Sequence, residues 1–322
     1  MKTGPLLHAA CAALLVLAAS KTPAMALERT WVSSGGTDFN PCTHASPCSS
    51  FSGALANTDV GGKISCIDDG LSPARIGGGL ITKSITIDCA GTSVSAKGFE
   101  ISGSGIIVTI RNLTIDGFGL TGDGIFFLNG AALFVENCTI SNLNLGPISE
   151  GVGIKFAPVD GVAANLYVTD SIIRNAGLES SGGGIIIQPS GSGSARVTIE
   201  HTRVENNTYG IFANGTGGTG VIAVQVKDST VTNNRFNGIS AFTAPGKSIT
   251  SITVDRSSSV LNGQAGILSQ SSNAFVIVGS STVIGNGTGL SAVGGGSIFS
   301  YQNNQLSGNV SDGAPTSVLA PR

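Results

Sequence analysis

The chain has 322 residues, only 11% of them charged, and its formal net charge is −2. This composition provides no basic stripe, so we expect no nucleic-acid partner. The 47 glycines and the low charge leave the polar surface largely to Ser, Thr and Asn. Regularly spaced Val, Ile and Leu nevertheless exclude a disordered low-complexity chain, because they supply an apolar face to bury.

The first 26 residues have the pattern of a secretory signal peptide. Lys2 precedes an apolar run from Leu6 to Ala19, and Ala24-Met25-Ala26 offers small residues for cleavage. We expect cleavage after Ala26, because the apolar run is too short to span a bilayer comfortably. The protein would then be secreted or periplasmic, with a net charge of −4 and no later apolar stretch long enough for a transmembrane helix.

Residues 27–63 are expected to hold an N-terminal strand, a disulfide loop and a short capping helix. Ser46 is the predicted N-cap, and Pro47 suits the first helical position. Phe51 and Leu55 fall on one helical face, and Gly61-Gly62 is predicted to end the helix. Such a helix would cover a strand edge that otherwise invites aggregation.

A ten-residue phrase repeats from about residue 108 to the C-terminus. One copy runs from Val224 to Asn233, and the others begin at residues 108, 133, 166, 197, 252, 276 and 299. Val224 and Val226 alternate with Gln225 and Lys227, which is typical of a half-buried strand. A spacing near 27 residues over eight copies indicates a solenoid.

Most copies are followed by a glycine and an aliphatic residue that begin another short strand. These steps are Gly124-Ile125, Gly153-Ile154, Gly184-Ile185, Gly210-Ile211, Gly238-Ile239, Gly266-Ile267 and Gly289-Leu290. Three short strands and three bends per repeat predict an all-β parallel β-helix of about ten coils over residues 64–310. Ile64–Ile67 and Ile85–Asp88 fit as earlier strands, whereas the tail 311–322 has no strand pattern.

The fifth residue of the phrase is predicted to form a tight bend. In successive copies it is Asn112, Asn137, Asp170, His201, Asp228, Arg256, Ser280 and Asn303. Asn and Asp tolerate left-handed backbone angles best, so we assign His201 a structural role rather than that of a general base. Opposite charges in the fourth position, such as Arg111 with Glu136, predict a solvated charge ladder.

Five cysteines remain after signal cleavage, and export permits disulfides between them. Cys42 and Cys48 flank a short loop and form the first expected pair. Cys66 and Cys89 occupy near-equivalent places in the first two coils and form the second. Cys138 is left over, and we expect a buried thiol in a stack of turns. None of the spacings suggests zinc.

The phrase, the glycine steps, the Asn bends and the capping helix together resemble the right-handed parallel β-helix proteins of the pectin-lyase-like superfamily. The resemblance covers about residues 28–310 and implies a single-stranded right-handed β-helix. Within the superfamily, the chain looks like small exported bacterial proteins without an assigned activity. The fold is shared by polysaccharide lyases, hydrolases, tailspikes and adhesins, so function must be argued from a site.

Enzymes of that superfamily work on the outer face of one sheet, so the residue after each glycine step defines a candidate column. An exposed apolar line of this kind can mark a binding surface. The column carries no carboxylate, so the clustered Asp residues of a hydrolase site are missing. Its members are Phe126, Lys155, Ile186, Phe212, Ser240, Leu268 and Ser291.

Three functional hypotheses follow. The leading one is an exported protein that binds a polysaccharide or another envelope partner with little or no catalysis and no cofactor. The second is a polysaccharide lyase or hydrolase that acts on an acidic polysaccharide. In a lyase, Lys155 would be the base, while Asp123, Glu150 and Asp160, in turns of nearby coils, would hold Ca²⁺. The third is a structural protein that assembles through its ends; the sequence leaves the oligomeric state open.

Overall fold

The computed structural model describes residues 27–68, 78–90, 95–96, 98–117, 122–143, 151–177 and 181–320. The predicted signal peptide lies outside these residues. Three parallel sheets run the length of the described chain, and neighbouring strands in each sheet come from adjacent coils. This arrangement confirms the predicted all-β parallel β-helix of about ten coils.

The three sheets contain twelve, nine and ten described strands. The twelve-stranded sheet contains Leu27–Val32, Thr58–Cys66, Ile85–Asp88, Ile107–Arg111, Ala132–Glu136, Ala163–Thr169, Ser194–Glu200, Ile222–Lys227, Thr250–Asp255, Ala274–Gly279, Ser297–Ser300 and Ser317–Val318. The nine-stranded sheet contains Ser95–Ala96, Thr114–Asp116, Thr139–Leu143, Ile172–Ala176, Arg203–Glu205, Thr230–Thr232, Ser258–Val260, Thr282–Ile284 and Gln305–Ser307. The ten-stranded sheet contains Leu80–Ile81, Phe99–Ser102, Ile125–Asn129, Val152–Phe156, Gly183–Ile187, Ile211–Asn214, Ile239–Phe242, Ala265–Gln270, Thr288–Val293 and Ser311–Gly313.

The repeated phrase builds the twelve-stranded sheet. Val224 lies opposite Val197 on one side and Ile252 on the other, as equal positions in the phrase require. The alternation also holds, because Val224 and Val226 are buried whereas Gln225 is exposed. The last copy was misplaced by one residue: Val276 lies opposite Ile298, not Phe299.

The glycine steps open strands of the ten-stranded sheet, and their aliphatic residues point into the core. Ile211 and Ile239 lie opposite each other and are fully buried. At Gly210 a Cβ atom would stand 2.3 Å from the carbonyl oxygen of Gly238 and 2.5 Å from Val231 Cγ1. Glycine is therefore required here because successive coils approach too closely for any side chain.

The bends follow the prediction. Asn112, His201 and Asp228 have φ values of 55°, 48° and 47°, in the left-handed region. In the last copy the bend is Gln302, with φ 62°, and not the predicted Asn303, because the register there is displaced by one residue.

The cysteines pair as predicted, with disulfides Cys42–Cys48 and Cys66–Cys89. Cys138 is a buried free thiol. It stands in a column of turn residues in which Ser171 Oγ accepts a hydrogen bond from the Cys138 amide over 3.1 Å, and Ser229 Oγ accepts one from the Thr202 amide. The prediction of a thiol within a stack of turns is confirmed.

The helix is shorter than predicted, running from Phe51 to Asn57. Its N-cap is Ser50, not Ser46, and Ser50 Oγ accepts a hydrogen bond from the Gly53 amide over 3.0 Å. Phe51 and Leu55 are buried on one face, as expected. Gly61 and Gly62 lie within the following strand rather than ending the helix.

The two ends of the fold also differ from the sequence-based expectation. Leu27–Val32 pairs in parallel with Thr58–Cys66, so the N-terminal strand is the first strand of the twelve-stranded sheet. The tail contains Ser311–Gly313 and Ser317–Val318, which extend two sheets. These strands are exposed and two or three residues long. Their polar composition explains why no strand pattern was visible.

Candidate functional site

The candidate column exists as one continuous line on the outer face of the ten-stranded sheet. Lys155 lies opposite Phe126 and Ile186, and Phe212 lies opposite Ile186 and Ser240. Leu268 and Ser291 continue the line on the next two strands. The side-chain direction follows from the strand alternation, because the residues on either side of each member point into the core.

Exposure along this column is uneven. Phe126, Lys155, Phe212 and Leu268 are half-buried, whereas Ile186 is only 6% exposed and Ser240 only 1%. Each of the two buried residues lies between larger side chains of the neighbouring strands, which cover it. Ile186 lies between Lys155 and Phe212, and Ser240 lies between Phe212 and Leu268. Ile186 and Ser240 therefore point outward as predicted, but their side chains are not exposed.

Lys155 sits above an aromatic ring. Its Nζ atom lies 5.5 Å from the ring centroid of Phe126, in the preceding coil. The negative face of the ring attracts the ammonium group, so this contact holds the Lys155 side chain over Phe126.

The structure does not bring Asp123 and Asp160, two of the proposed calcium ligands, together. Asp123 precedes Ile125–Asn129 and accepts a hydrogen bond from the Val152 amide over 2.9 Å. Asp160 follows Val152–Phe156, and its Oδ1 accepts bonds from the amide and hydroxyl of Ser192. The two carboxylates thus stand at opposite ends of five-residue strands, which are about 16 Å long. Glu150 lies outside the described residues.

Four aromatic side chains form a separate feature of the same sheet, which we call the aromatic track: Tyr209, Phe212, Phe236 and Phe242. Ring centroids are 5.1 Å apart for Phe236 and Tyr209, 5.3 Å for Tyr209 and Phe212, and 6.2 Å for Phe212 and Phe242. All four are half-buried. These spacings are typical of favourable aromatic pairs, so the rings hold one another in place.

The track arises from two coils. Phe212 and Phe242 are outward residues of Ile211–Asn214 and Ile239–Phe242, while Tyr209 and Phe236 lie in the turns that precede those strands. The track therefore runs parallel to the strands, from the turn before them to the last residue of Ile239–Phe242. Arg235 caps it, with its guanidinium carbon 5.6 Å from the Phe236 ring centroid.

Sequence reasoning found only Phe212 of these four residues. Phe242 could have been identified, because it is the second outward position of its strand, two residues after Ser240. Tyr209 and Phe236 precede the glycine steps by one and two residues, respectively, and a search of both flanks of each step would have found them.

Polar side chains flank the track. Asn214 and Gln270 lie on either side of Phe242 in neighbouring strands. Asn214 Oδ1 accepts hydrogen bonds from the amide and the hydroxyl of Thr216. Arranged in this way, the face combines flat apolar surfaces with hydrogen-bonding groups at their edges.

A second cluster, on the twelve-stranded sheet and its following turn, consists of Glu200, His201 and Asp228. Their potential ligand atoms lie within 4.8 Å of one another, the one such group among the described residues. Lys227 donates to Glu200 over 2.6 Å, and Arg256 donates to both oxygens of Asp228, over 2.9 and 3.0 Å. The hydrogen bond from Lys227 lowers the pKa of Glu200, and that from Arg256 lowers the pKa of Asp228.

These contacts identify a charge ladder rather than a metal site, because a Lys and an Arg already neutralise both carboxylates. The register supports the same reading, since Glu200 lies opposite Lys227 in the sheet. His201 is exposed and occupies a left-handed bend, as predicted for a structural residue.

None of the helices in the described part of the chain has the length and apolar character needed to cross a membrane. The two disulfides are compatible with an extracellular protein.

Comparison with known proteins agrees with this architecture. A family model described as "Right handed beta helix region" matches residues 75–244, just over half of the chain. The crystal structure of pectate lyase Pel9A is similar, with a TM-score of 0.57 and 14% sequence identity, over 92% of this chain and 80% of that chain. No curated protein sequence matches. With three parallel sheets in register and this family match, the chain belongs to the right-handed β-helix family.

Proposed function

We propose that this protein binds a polysaccharide on the outer face of its ten-stranded sheet, with the aromatic track as the main contact. The observation that carries the proposal is the run of four half-exposed rings, Tyr209, Phe212, Phe236 and Phe242, with successive centroids 5.1 to 6.2 Å apart. A contiguous apolar surface rimmed by polar residues can mark a ligand-binding site.

The chemistry of the track suits a sugar chain. One face of a pyranose ring carries C–H groups that pack on the negative face of an aromatic ring. The hydroxyls around the sugar ring then need hydrogen-bond partners, which Asn214, Gln270 and Arg235 provide at the edges of the track. Because the rings pack against one another, little side-chain entropy is lost when a ligand binds.

Binding without catalysis is favoured by the functional groups of the same face. Lys155 lies over the ring of Phe126, and its two neighbours in the column, Phe126 and Ile186, are apolar. Asp123 and Asp160 each accept hydrogen bonds that hold a neighbouring coil in place. These two carboxylates support the fold, and they lie at opposite ends of the strands rather than side by side.

The test is an affinity measurement of the purified protein against a panel of neutral and acidic polysaccharides. Phe212→Ala should weaken binding at least ~10-fold, because truncating a central aromatic contact costs about 1–2 kcal/mol or more. Phe134→Ala is the matched control: Phe134 stacks on Tyr167 at 4.7 Å, but on the twelve-stranded sheet. Equal losses in both variants, or no saturable binding to any glycan, would contradict the proposal.

A second candidate function is a polysaccharide lyase. It is favoured by the position of Lys155 in the outward column and by the fold shared with pectate lyase Pel9A. A lyase would create unsaturated ends that absorb ultraviolet light, with and without added Ca²⁺ as the comparison. Lys155→Ala should abolish that signal, whereas Lys247→Ala, an exposed lysine in a turn, should not. A flat trace for the unmodified protein would remove this candidate.

We further propose that the protein is exported and that its mature form begins at Leu27. The two disulfides support an oxidising compartment. N-terminal sequencing of the protein recovered from the periplasm or medium tests this directly. Recovery of a chain that begins at Met1 would contradict it.

A further inference from the structure

A pocket of about 350 Å³ lies on the outer face of the twelve-stranded sheet, at its N-terminal end. It is remote in sequence from the aromatic track and is built by the first coils. Its lining includes Arg29, Trp31, His44, Lys63, Ser65 and Asp88. A volume of this size is at the small end of ligand pockets, so it suits a compact group rather than a chain.

Two positive charges face each other across the strands of this pocket. Arg29 lies directly opposite Lys63 in the first pair of strands. Like charges in opposite positions of a ladder repel each other and destabilise the pair. Further along the same sheet, opposite charges face each other instead, since Glu200 lies opposite Lys227. The Arg29–Lys63 pair is therefore an exception that needs a physical reason.

Among the residues that the structure describes, only one of the two cations forms an ion pair. Lys63 donates to Asp88 over 2.7 Å, and the same Asp88 oxygen accepts a bond from Arg111 over 3.0 Å. Arg29 makes no ion pair with any carboxylate in the described ranges. Its exposed guanidinium instead donates from Nε and Nη2 to Ser65 Oγ, over 3.2 and 3.1 Å.

The position of Arg29 is nevertheless fixed. Besides the two bonds to Ser65, its guanidinium carbon lies 5.1 Å from the ring centroid of Trp31. His44 in turn contacts Trp31 edge-on, with centroids 5.6 Å apart. A planar guanidinium held in one orientation is a preorganised receptor for an oxyanion, because its remaining N–H groups already point in fixed directions.

We propose that this pocket binds a divalent oxyanion of the sulfate or phosphate type, between Arg29 and Lys63. Two cations on adjacent strands offer hydrogen bonds from two directions to one tetrahedral group, and the bound anion relieves their mutual repulsion. The group is either the free ion or an ester carried by a larger molecule. This site is independent of polysaccharide binding on the ten-stranded sheet.

The single tryptophan of the chain makes the proposal directly measurable. The Arg29 guanidinium lies over the Trp31 ring, so an anion that binds to Arg29 should change the tryptophan fluorescence. We would titrate sodium sulfate and sodium phosphate at constant ionic strength, with sodium chloride and sodium acetate as comparisons. A saturable change is expected with sulfate or phosphate, weaker binding with acetate, and none with chloride.

Arg29→Gln should reduce the affinity at least ~10-fold, because it removes a charge-assisted contact. Arg196→Gln is the matched control, an exposed arginine on the same sheet face that does not line the pocket. Since Arg29→Gln also removes the repulsion, its thermal stability without anion should equal or exceed that of the unmodified protein. Glucose 6-sulfate and glucose 6-phosphate distinguish a free ion from an ester as the ligand. If these sugar esters bind at least as tightly as the inorganic ion, the ligand is an ester; if they do not bind, it is the free ion.

Three results would overturn the proposal. The first is no saturable response to either divalent oxyanion. The second is an equal response to chloride, which would show screening alone. The third is an equal loss of affinity in Arg29→Gln and Arg196→Gln.

Discussion

Asn234 donates a hydrogen bond from Nδ2 to Oδ1 of Asn262 over 2.9 Å, and the Asn234 backbone amide donates to the same oxygen over 3.1 Å. Both residues are almost fully buried. The same two bonds recur between successive coils. They join five asparagines, one from each coil, into a row that runs along one column of bends. The row consists of Asn207, Asn234, Asn262, Asn286 and Asn309.

Asn262→Ala should destabilise the protein by about 3 kcal/mol, because it leaves the Asn234 amide groups without an acceptor in a buried position. Asn309→Ala removes the last, half-buried member of the row and should cost about 1 kcal/mol, since water can replace its bonds. Urea denaturation followed by circular dichroism measures both. Equal costs for the two variants would show that burial of the row does not strengthen its hydrogen bonds.

The inward side chains predict a clear contrast along one strand. Ile199 is fully buried, so Ile199→Ala should cost about 2–5 kcal/mol through lost burial and a new cavity. Thr198→Ala, on the outward side of the same strand, should cost less than about 1 kcal/mol. The outward Ser240 is not a suitable control, because it is buried and its hydroxyl lies 3.4 Å from the Ile211 carbonyl oxygen. A similar loss at residues 198 and 199 would mean that the inside and outside of the strand are assigned wrongly.

The first coils should show acid sensitivity through Asp88. Burial raises the pKa of this carboxyl, but hydrogen bonds from Lys63, Asn112, the Ala90 amide and Arg111 outweigh burial and hold the pKa well below its usual value. A depressed folded-state pKa gives stability that is fully present above the unfolded value, about 3.9, and is lost as the pH falls through the folded value.

Asp88→Asn should therefore cost about 2 kcal/mol at pH 7, with the difference from the unmodified protein shrinking below about pH 4. Thermal melts between pH 7 and pH 2.5 test this, with the exposed Asp170→Asn as control. A difference that stays constant across this range would show that the charge of Asp88 is not its main contribution.

Cys138 should be chemically inert in the folded protein. Burial raises the pKa of its thiol to about 11, and only the thiolate reacts with alkylating agents. We expect negligible alkylation at pH 8 until denaturant is added. Cys138→Ser should be tolerated within about 1 kcal/mol, because a serine hydroxyl in this position can donate to the Glu136 carbonyl, as Ser171 Oγ in the next coil donates to the Thr169 carbonyl over 2.7 Å. Cys138→Val cannot make that bond and is the destabilised comparison. Rapid alkylation of the native protein would contradict the buried position.

The periodic part of the fold was readable from the sequence, and the surface was less so. The alternation at Val224 and Val226 gave the inward register, and the bend residues gave the left-handed angles, because both are local properties of the chain. Ile186 and Ser240 were misjudged because the burial of an outward residue depends on the size of neighbours roughly 27 residues away. Arg29 and Lys63 are 34 residues apart in the sequence, and both precede the repeated phrase, so no sequence pattern predicted their pairing.

Strand pairing in this protein joins each coil only to the coils directly before and after it. A chain held together in this way resembles a stack, in which unfolding starts at an end and proceeds one coil at a time. Trp31 lies in the first strand and reports on that end alone, whereas circular dichroism averages over all coils. The two signals should therefore give different denaturation midpoints, and an unfolding free energy will describe a segment of the stack rather than the whole chain.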